Sequence, residues 1–366
     1  VAQLTKFTLV IQFPLVAVLA LACRRGSLRH VVVAGVLGVV VLNAGYGCRG
    51  VGAPIGDLTY VSESFTGIAR SDAERDLASH LIHPGNRFTA SMLGRLPSPL
   101  PTEYLKGIDL QRRDFEKGLR CYLRGEWQVG GWWYYYLYAL GVKLTLGLLV
   151  AIALGVGLSL RRRDPVVWRD RLAVALPGVA VLAFVSSQTG FTQHVRYVLP
   201  ALPFAIILAS RCVELAHRRL GAIVVACVLG GAIASSLAAQ PRALGYFNEL
   251  VDRGEDHLLD SNLDWGQDLI ELRIWLAAHP QSGPLRLAYF GAIDPAVYGI
   301  AYTLPAPALP APGTYAISAN YVHGLRFRAF DGAGHVVVIE SDAYAAFRHL
   351  TPRARVGSAI LIFDVP

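Results

Sequence analysis

Charged residues are scarce in this chain. Only 16% of its residues are Asp, Glu, Lys or Arg, whereas soluble globular domains contain about 25%. Hydrophobic residues reach 54% and the mean hydropathy is +0.42, values that are wrong for a soluble protein of this length. The composition therefore predicts a polytopic membrane protein.

Several motifs with well-known chemistry are also absent. The sequence contains no glycine-rich phosphate loop, no CxxC pair and no zinc-type histidine spacing, so nucleotide binding and metalloprotease activity have no motif to support them. The formal net charge is +8, but the arginines lie in short loops between apolar segments, where they orient membrane helices. Nucleic acid is therefore not an expected partner.

Six apolar segments are predicted to be transmembrane helices. They run from about 4 to 22, 31 to 46, 133 to 160, 172 to 187, 194 to 211 and 220 to 239. Arginine-rich loops follow the first, third and fifth segments, and the positive-inside rule places all three loops in the cytoplasm. Residues 47–131, 188–193 and everything after Gln240 are then outside. Because the chain begins at Val1 within an apolar run, we expect it to be a fragment that lacks upstream helices.

Two regions outside the membrane are predicted to fold. The loop 47–131 is too long for a connector and contains helical segments at 71–81 and 110–124. Beyond the membrane domain, 1–239, the composition changes, and 240–366 is predicted to form a periplasmic α/β domain. Its strands are expected in LRLAYFG, GTYAISAN and VGSAILIFDV, and Asp264 is expected to cap its main helix.

Three cations are predicted to lie near the outer membrane face. Lys6 is near the outer end of the first span, Lys143 lies about two to three turns into the third, and Arg196 is at the outer end of the fifth. Such residues often snorkel to the interface or anchor a helix there. An anionic lipid phosphate would instead satisfy all three together, and His194 is a further candidate donor.

Aromatic residues crowd the start of the third span. The segment EWQVGGWWYYYLY contains Trp132, Trp133 and Tyr135 among seven aromatic residues. An interfacial aromatic belt is one interpretation. The other is a platform on which a sugar ring or a lipid head group stacks, and these three residues are the candidates for it.

A run of acidic and amide residues follows the membrane domain. It matches positions one, three, five, nine and twelve of a calcium-binding loop, although Trp265 stands where such a loop needs glycine. A weak calcium site, a helix-capping turn and a contact to the acceptor or sugar all stay open for these residues, which are Asp260, Asn262, Asp264, Asp268 and Glu271.

Only two of the five cysteines are predicted to lie on the oxidising side of the membrane. These are Cys48 and Cys121, and a disulfide between them could close the outer loop. Spacing alone does not establish the bond.

Four segments carry a resemblance to a known family. LTKFTLVIQFPL, YLRGEWQVGGWWYYYLYALGVKLTLGLL, HVRYVLPALPFAIILA and YFNEL followed by LLDSNLDWGQDL resemble the carboxy-terminal part of bacterial membrane glycosyltransferases similar to protein O-mannosyltransferases and aminoarabinose transferases. The resemblance implies an enzyme of the GT-C type, which moves a sugar from a polyprenyl-phosphate donor to an acceptor at the outer face of the cytoplasmic membrane.

The resemblance also implies roles for particular residues. Lys6, Lys143 and Arg196, with His194, are assigned to the leaving phosphate, to which a divalent metal could also contribute. The catalytic carboxylate of this family usually lies in the first outer loop, which is expected upstream of Val1, so no catalytic residue is named. The acceptor, whether glycan, lipid or protein, is open. Two alternatives are a lipid-linked-glycan binding or transport protein without catalysis, and an assembly protein whose last domain binds an envelope partner.

Overall fold

The structure is a computed structural model that describes residues 15–18, 20, 28–69, 83–116, 118–161, 165–188, 193–280, 283, 285–307 and 310–366. Most of the first predicted span, with Lys6, and the predicted helix 71–81 lie outside the described residues. The described helices, apart from short 3-10 turns, are α1 (Leu28–Gly45), α2 (Glu63–Thr66), α3 (Thr102–Glu116), α4 (Tyr135–Lys143), α5 (Leu146–Arg161), α6 (Pro165–Ser187), α7 (Leu202–Ala209), α8 (Arg219–Ala238), α9 (Leu269–Ala278) and α10 (Ala319–Val322).

The strands form three separate sheets. They are β1 (Arg120–Leu123), β2 (Glu126–Val129), β3 (Leu285–Ala288), β4 (Tyr302–Thr303), β5 (Gly313–Ser318), β6 (Phe327–Phe330), β7 (Val336–Ile339), β8 (Ala354–Val356) and β9 (Ile360–Val365). β1 pairs with β2, β6 pairs with β7, and the others make a five-stranded sheet in the order β4-β3-β5-β9-β8.

Three segments are long and apolar enough to cross a membrane. They are Trp168–Ser187, Leu199–His217 and Arg219–Ala238, with mean hydropathies of 1.5, 1.6 and 2.2. The first lies in α6, the second contains α7 between 3-10 segments, and the third lies in α8. The prediction of apolar membrane helices is thus confirmed for these three segments, whereas six such helices are not found in the described part of the chain.

The third predicted span differs from the single helix expected from its sequence. It consists of α4 and α5, between which the chain bends by 120°. Leu144 is extended at the break, and the hydroxyl of Thr145 accepts a hydrogen bond from the backbone N–H of Leu148. Thr145 therefore caps a new helix within a largely apolar segment. The second predicted span corresponds to α1. Its apolar part, Arg29–Gly45, is shorter than the three long segments.

The membrane helices pack closely because of glycine. A Cβ atom added to Gly155 would lie 2.0 Å from the carbonyl oxygen of Leu208, and one added to Gly147 would lie 2.3 Å from that of Val228. α5 therefore approaches both α7 and α8 at backbone distance. At one end of these helices Ser159 accepts hydrogen bonds from both Arg171 and Arg211, so two of the predicted arginine-rich loops lie together.

In the described part of the predicted outer loop, the second predicted helix ends earlier than expected and a hairpin follows it. α3 starts at Thr102 and ends at Glu116, and the residues that the sequence assigned to the end of a helix, Arg120–Leu123, form β1 instead. Tyr122 and Leu123 of this strand are buried, because the hairpin packs against the last domain and α4. Burial of three consecutive residues of β1, Cys121–Leu123, between these two neighbours accompanies the strand conformation.

The last domain has the predicted strands at its centre. β5 and β9 pair antiparallel over their whole length, and β3 runs parallel to β5. Ile317 and Leu361 face one hydrophobic cluster, whereas Ala316 and Ile362 face another that includes Leu272 of α9, so the sheet is buried on both faces. This agrees with the α/β domain expected from the sequence.

Candidate functional site

The membrane helices and the last domain meet at the turn formed by Asp260, Ser261 and Asn262. This turn is a short 3-10 segment that follows the buried residues Leu258 and Leu259. Asp260 adopts a left-handed conformation with φ of 62°, which is uncommon for a residue other than glycine. The backbone N–H of Asp260 donates to the side chain of Asn320 at 2.7 Å, which fixes the turn to the sheet domain.

Asn262 connects this turn to the membrane helices. Its side-chain amide donates to the hydroxyl of Tyr135 at 3.1 Å and to the carbonyl of Gln193 at 2.6 Å, and its side-chain oxygen accepts from the N–H of Val195 at 2.8 Å. Asn262 is only 4% exposed, so all of these bonds are shielded from water. Its polar atoms are occupied by protein partners and its role is to join the two parts of the molecule.

His194 lies against the same turn. Its Nδ1 is 2.7 Å from the hydroxyl of Ser261 and 3.9 Å from the carboxylate of Asp260. Burial, with a smaller contribution from the nearby Arg196, lowers the pKa of His194 to about 4. His194 is therefore neutral at pH 7, so it could contact a phosphate only as a neutral hydrogen-bond donor, and that role stays a prediction.

Asp260 is the unusual carboxylate of the site. Burial raises its pKa to about 6, opposed by the N–H of Ser261 and by the charge of Arg196. Its side chain is still 18% exposed. It lines a small depression with Arg120, Tyr122 and Trp127, so the carboxylate can be reached from outside. A strained backbone and a raised pKa in one accessible acid are typical of functional sites.

Arg196 remains available for an anion. Its side chain is exposed, and its guanidinium stands 5.4 Å from the ring centroid of Tyr197. Within the described part of the chain it has no ion pair. It begins the segment that leads into Leu199–His217, so a charged group lies directly at the end of an apolar helix, as the sequence predicted.

Lys143 also lies where the membrane helices meet the last domain, but its ammonium group already has protein partners. Its Nζ donates to the backbone carbonyls of Leu244 and Asn262, both at 2.7 Å, and lies 4.3 Å from the ring centroid of Phe247. These contacts place Lys143 beside His194, as predicted, since both touch the turn. They also give the ammonium group protein partners in place of a phosphate. The sequence could not show this because the partners lie about a hundred residues away.

The three residues predicted to stack on a ligand differ in their exposure to solvent. Trp133 is 66% exposed and Trp132 is partly buried, so an external ring could stack on Trp133. Tyr135 is only 1% exposed and its hydroxyl donates to the carbonyl of Gln193, so the prediction that it stacks on a ligand is wrong. Trp132 and Trp133 precede α4, whose first residue is Tyr135, and packing of Tyr135 against the neighbouring helices buries it.

The acidic run does not form a calcium loop. Asp264 accepts from the N–H of Gly266 and from the hydroxyl of Ser318, whereas Asp268 accepts from the N–H groups of Ser358 and Ala359. Glu271 forms an ion pair with Arg242. The oxygens point to separate partners, and among the described residues no group of three or more His, Cys, Asp or Glu could hold a metal ion. The donor set therefore does not fit a divalent metal.

The capping prediction also needs correction. α9 begins at Leu269, so Asp268 rather than Asp264 occupies the capping position, and its side chain makes no capping bond. Asp264 instead holds the turn before the helix. Burial raises its pKa to about 7. This acid is almost completely buried, which separates it from any external acceptor.

The predicted disulfide is not formed. Cys48 is an exposed free thiol, and Cys121 is a buried free thiol in β1. The Sγ of Cys121 points to the carbonyl of Leu119 at 3.3 Å. Spacing in the sequence could not distinguish an exposed loop cysteine from one that faces the interior of a hairpin.

Two features of the site were not anticipated. Arg120, which lines the depression beside Asp260, was predicted near the end of a helix in the outer loop. Asn248 of the YFNEL segment is 1% exposed and donates to the carbonyls of Gly141 and Leu144 at 2.6 and 3.0 Å. The break between α4 and α5 leaves these carbonyls without their helical N–H partners. The side chain of Asn248 supplies the missing hydrogen bonds.

No protein-family model, curated protein or solved structure matches this chain. The functional proposal therefore rests on the geometry of the site.

Proposed function

We propose that the chain is the carboxy-terminal part of a membrane glycosyltransferase that takes a sugar from a polyprenyl-phosphate donor. The observation that carries the proposal is that Arg196, at the end of an apolar helix, lies near enough to Asp260 for its charge to lower the pKa of that carboxyl, against the larger effect of burial. An accessible carboxylate and an unpaired guanidinium there match the two needs of such a reaction, which are to activate a hydroxyl group and to hold a phosphate.

In this proposal the residues have distinct roles. Arg196 binds the donor phosphate and stabilises the negative charge that develops as the sugar leaves. Asp260, whose raised pKa lies close to neutral, orients the acceptor hydroxyl and accepts its proton. His194 stays neutral and orients the turn through Ser261. Trp133 offers the exposed ring on which the donor sugar or a lipid head group stacks.

The proposal includes a membrane arrangement. The three long apolar segments, the bent pair of α4 and α5, the shorter α1 and the first apolar run of the sequence are proposed as six membrane segments of a multi-pass protein in the cytoplasmic membrane. The end at which Arg171 and Arg211 meet is proposed to be cytoplasmic, in keeping with the positive-inside rule. The last domain and the site are then on the periplasmic side.

The test is sugar transfer by the protein in its native membrane. Radiolabelled polyprenyl-phosphate mannose and polyprenyl-phosphate aminoarabinose are supplied, and label transferred from the donor is counted. Arg196→Ala is expected to reduce transfer by about a hundredfold, the loss of one strong charge interaction in the transition state. Arg219→Ala is the matched control because it is exposed at the other end of the membrane helices, and it should keep full transfer.

A second function is distinguished by the same experiment. Lipid-linked-glycan binding or transport without catalysis is favoured if the donor binds in an Arg196-dependent way and no label leaves it. If Arg196→Ala, like Arg219→Ala, keeps full donor binding and full transfer, the phosphate binds elsewhere. The proposed role of Arg196 then fails.

A further inference from the structure

The last domain contains an aromatic pocket that is separate from the site at Asp260. Its cavity has a volume of about 290 Å³ and is lined by Trp265, Phe290, Phe327, Phe330 and Val336, with Arg328 at its edge. The ring centroids of Phe290 and Phe327 are 4.9 Å apart, and that of Trp265 is 5.8 Å from Phe290. Three rings therefore form one side of an open cavity.

The backbone at Trp265 is fixed by hydrogen bonds although its side chain is not buried. Its backbone N–H donates to the side chain of Gln267 at 2.8 Å, and the next N–H, of Gly266, donates to the buried Asp264 at 2.9 Å. Gly266 has φ of 86°, and a Cβ atom there would lie 2.1 Å from the hydroxyl oxygen of Tyr289. The turn is thus specified in detail, yet the tryptophan is 51% exposed. Rigid aromatic rings that stay open to solvent are typical of binding surfaces.

Arg328 gives the pocket a charge. It is exposed, its guanidinium is 5.8 Å from the ring centroid of Phe327, and within the described part of the chain it has no ion pair. The other lining side chains are apolar, so the pocket offers few hydrogen bonds for the many hydroxyl groups of a sugar. A ligand that matches these walls has an apolar body and one negative group.

We propose that this pocket binds an amphipathic anion, with its apolar chain or ring between Trp265, Phe290 and Phe327 and its phosphate or carboxylate on Arg328. Charge complementarity at the edge and apolar area in the interior select this class of ligand together. The inference does not depend on the proposed transfer reaction, because it uses none of the residues that contact the turn at Asp260.

The probe is hexyl phosphate, which has an apolar chain and one phosphate group and is soluble in water. Its binding to the full chain in phosphatidylcholine nanodiscs is measured by saturation-transfer NMR, and the signal from empty nanodiscs is subtracted. With about eleven non-hydrogen atoms, this ligand should bind with a Kd on the order of 1 mM or tighter. Hexanol and inorganic phosphate, which each lack one half of the ligand, should bind at least about tenfold more weakly.

Variants locate the binding. Arg328→Gln should weaken hexyl phosphate about tenfold and leave hexanol unchanged, because only the charge-assisted bond is lost. Trp265→Ala should weaken both, and Trp265→Phe should restore much of the binding. Arg273→Gln is the matched control, since Arg273 is an exposed arginine of α9 that does not line the pocket. Equal binding to all these variants would overturn the proposal, as would binding of methyl glucoside in place of hexyl phosphate.

Competition with an anionic lipid distinguishes a lipid ligand from a water-soluble one. If phosphatidic acid included in the nanodiscs abolishes hexyl phosphate binding in wild type, the pocket takes a lipid head group and its adjoining chain. If it does not compete, the ligand is a water-soluble amphipathic anion. Either result supports the site, whereas failure to detect any binding above that of empty nanodiscs overturns it.

Discussion

The Nζ atom of Lys143, at the end of α4, donates a hydrogen bond to the backbone carbonyl of Asn262 over 2.7 Å. This contact joins a membrane-proximal helix to the turn that carries Asp260. A cation that the sequence assigned to a substrate phosphate therefore has a structural partner. Arg196 follows His194, which contacts this turn, by two residues, and among the predicted phosphate-binding cations that the structure describes it is the one exposed to a ligand.

Replacing Lys143 should test this division of roles. Lys143→Met leaves the carbonyls of Leu244 and Asn262 without their donor, and each lost bond to a charged group should cost about 1.5–3 kcal/mol. The apparent melting temperature in nanodiscs should fall together with sugar transfer. Lys106→Met is the control, because Lys106 pairs with Glu103 on the exposed surface of α3 and should change stability by less than about 0.5 kcal/mol. Normal stability with weakened donor binding in Lys143→Met would instead support the predicted role of Lys143 in binding the donor phosphate.

Asn248 should be essential to the break between α4 and α5. Asn248→Ala removes two side-chain bonds to Gly141 and Leu144, and unpaired buried carbonyls should destabilise the fold by about 2–4 kcal/mol. The expected result is rapid protease cleavage near the break in nanodiscs. Asn43→Ala, which loses one exposed bond to Pro99, should stay resistant. Equal resistance of both variants would show that the broken helix does not depend on Asn248.

The turn should respond to pH in two opposing ways. The folded-state pKa of Asp260 is raised to about 6 from 3.8, so the folded protein binds the proton more tightly and stability from this group falls as pH rises from about 4 to 6. The folded-state pKa of His194 is lowered to about 4 from 6.5, so its contribution rises with pH over nearly the same window. The contributions of these two groups should therefore nearly cancel, and the wild-type slope is left to other groups such as Asp264, whose pKa is raised to about 7.

Single variants should reveal each slope. Relative to wild type, Asp260→Asn should gain stability as pH rises from 4 to 6.5 and His194→Gln should lose it, each by about 2–3 kcal/mol. Melting temperatures of wild type, both variants and the double variant are measured across this range. A profile of Asp260→Asn that runs parallel to wild type would contradict the raised pKa of Asp260.

The two outer-loop cysteines should differ in reactivity. Cys48 is exposed and should be modified by a membrane-impermeant maleimide within minutes, whereas the buried Cys121 should react only after denaturation. Peptide mapping without reductant checks both the labelling and the absence of a bond between them. A linked Cys48–Cys121 peptide would contradict the hairpin position of Cys121.

The sequence predicted those elements whose apolar pattern is long or regular. Trp168–Ser187 and Arg219–Ala238 are long apolar runs, and β5 and β9 are short apolar runs bounded by turns. Such patterns depend only on neighbouring residues. The bend at Leu144 was missed because the apolar run continues across it, and only Thr145 gave a local capping signal.

The candidate site was predicted only in its position. The sequence placed Lys143, His194 and Arg196 at one membrane face, and the structure brings the first two to the same turn. It could not show which of them would find protein partners, since that depends on contacts between residues 67 to 119 positions apart in the chain. The same limit explains why Tyr135 was expected on the surface beside Trp133.

The link between Asn248 and the break between α4 and α5 also sets an order for biogenesis. The carbonyl of Leu144 leaves the ribosome 104 residues before the side chain that binds it. During that interval the apolar run from α4 to α5 has no partner for its freed carbonyls, and a continuous helix is the conformation that satisfies them. We therefore expect Asn248 to stabilise the bent form only after the start of the last domain has been translated.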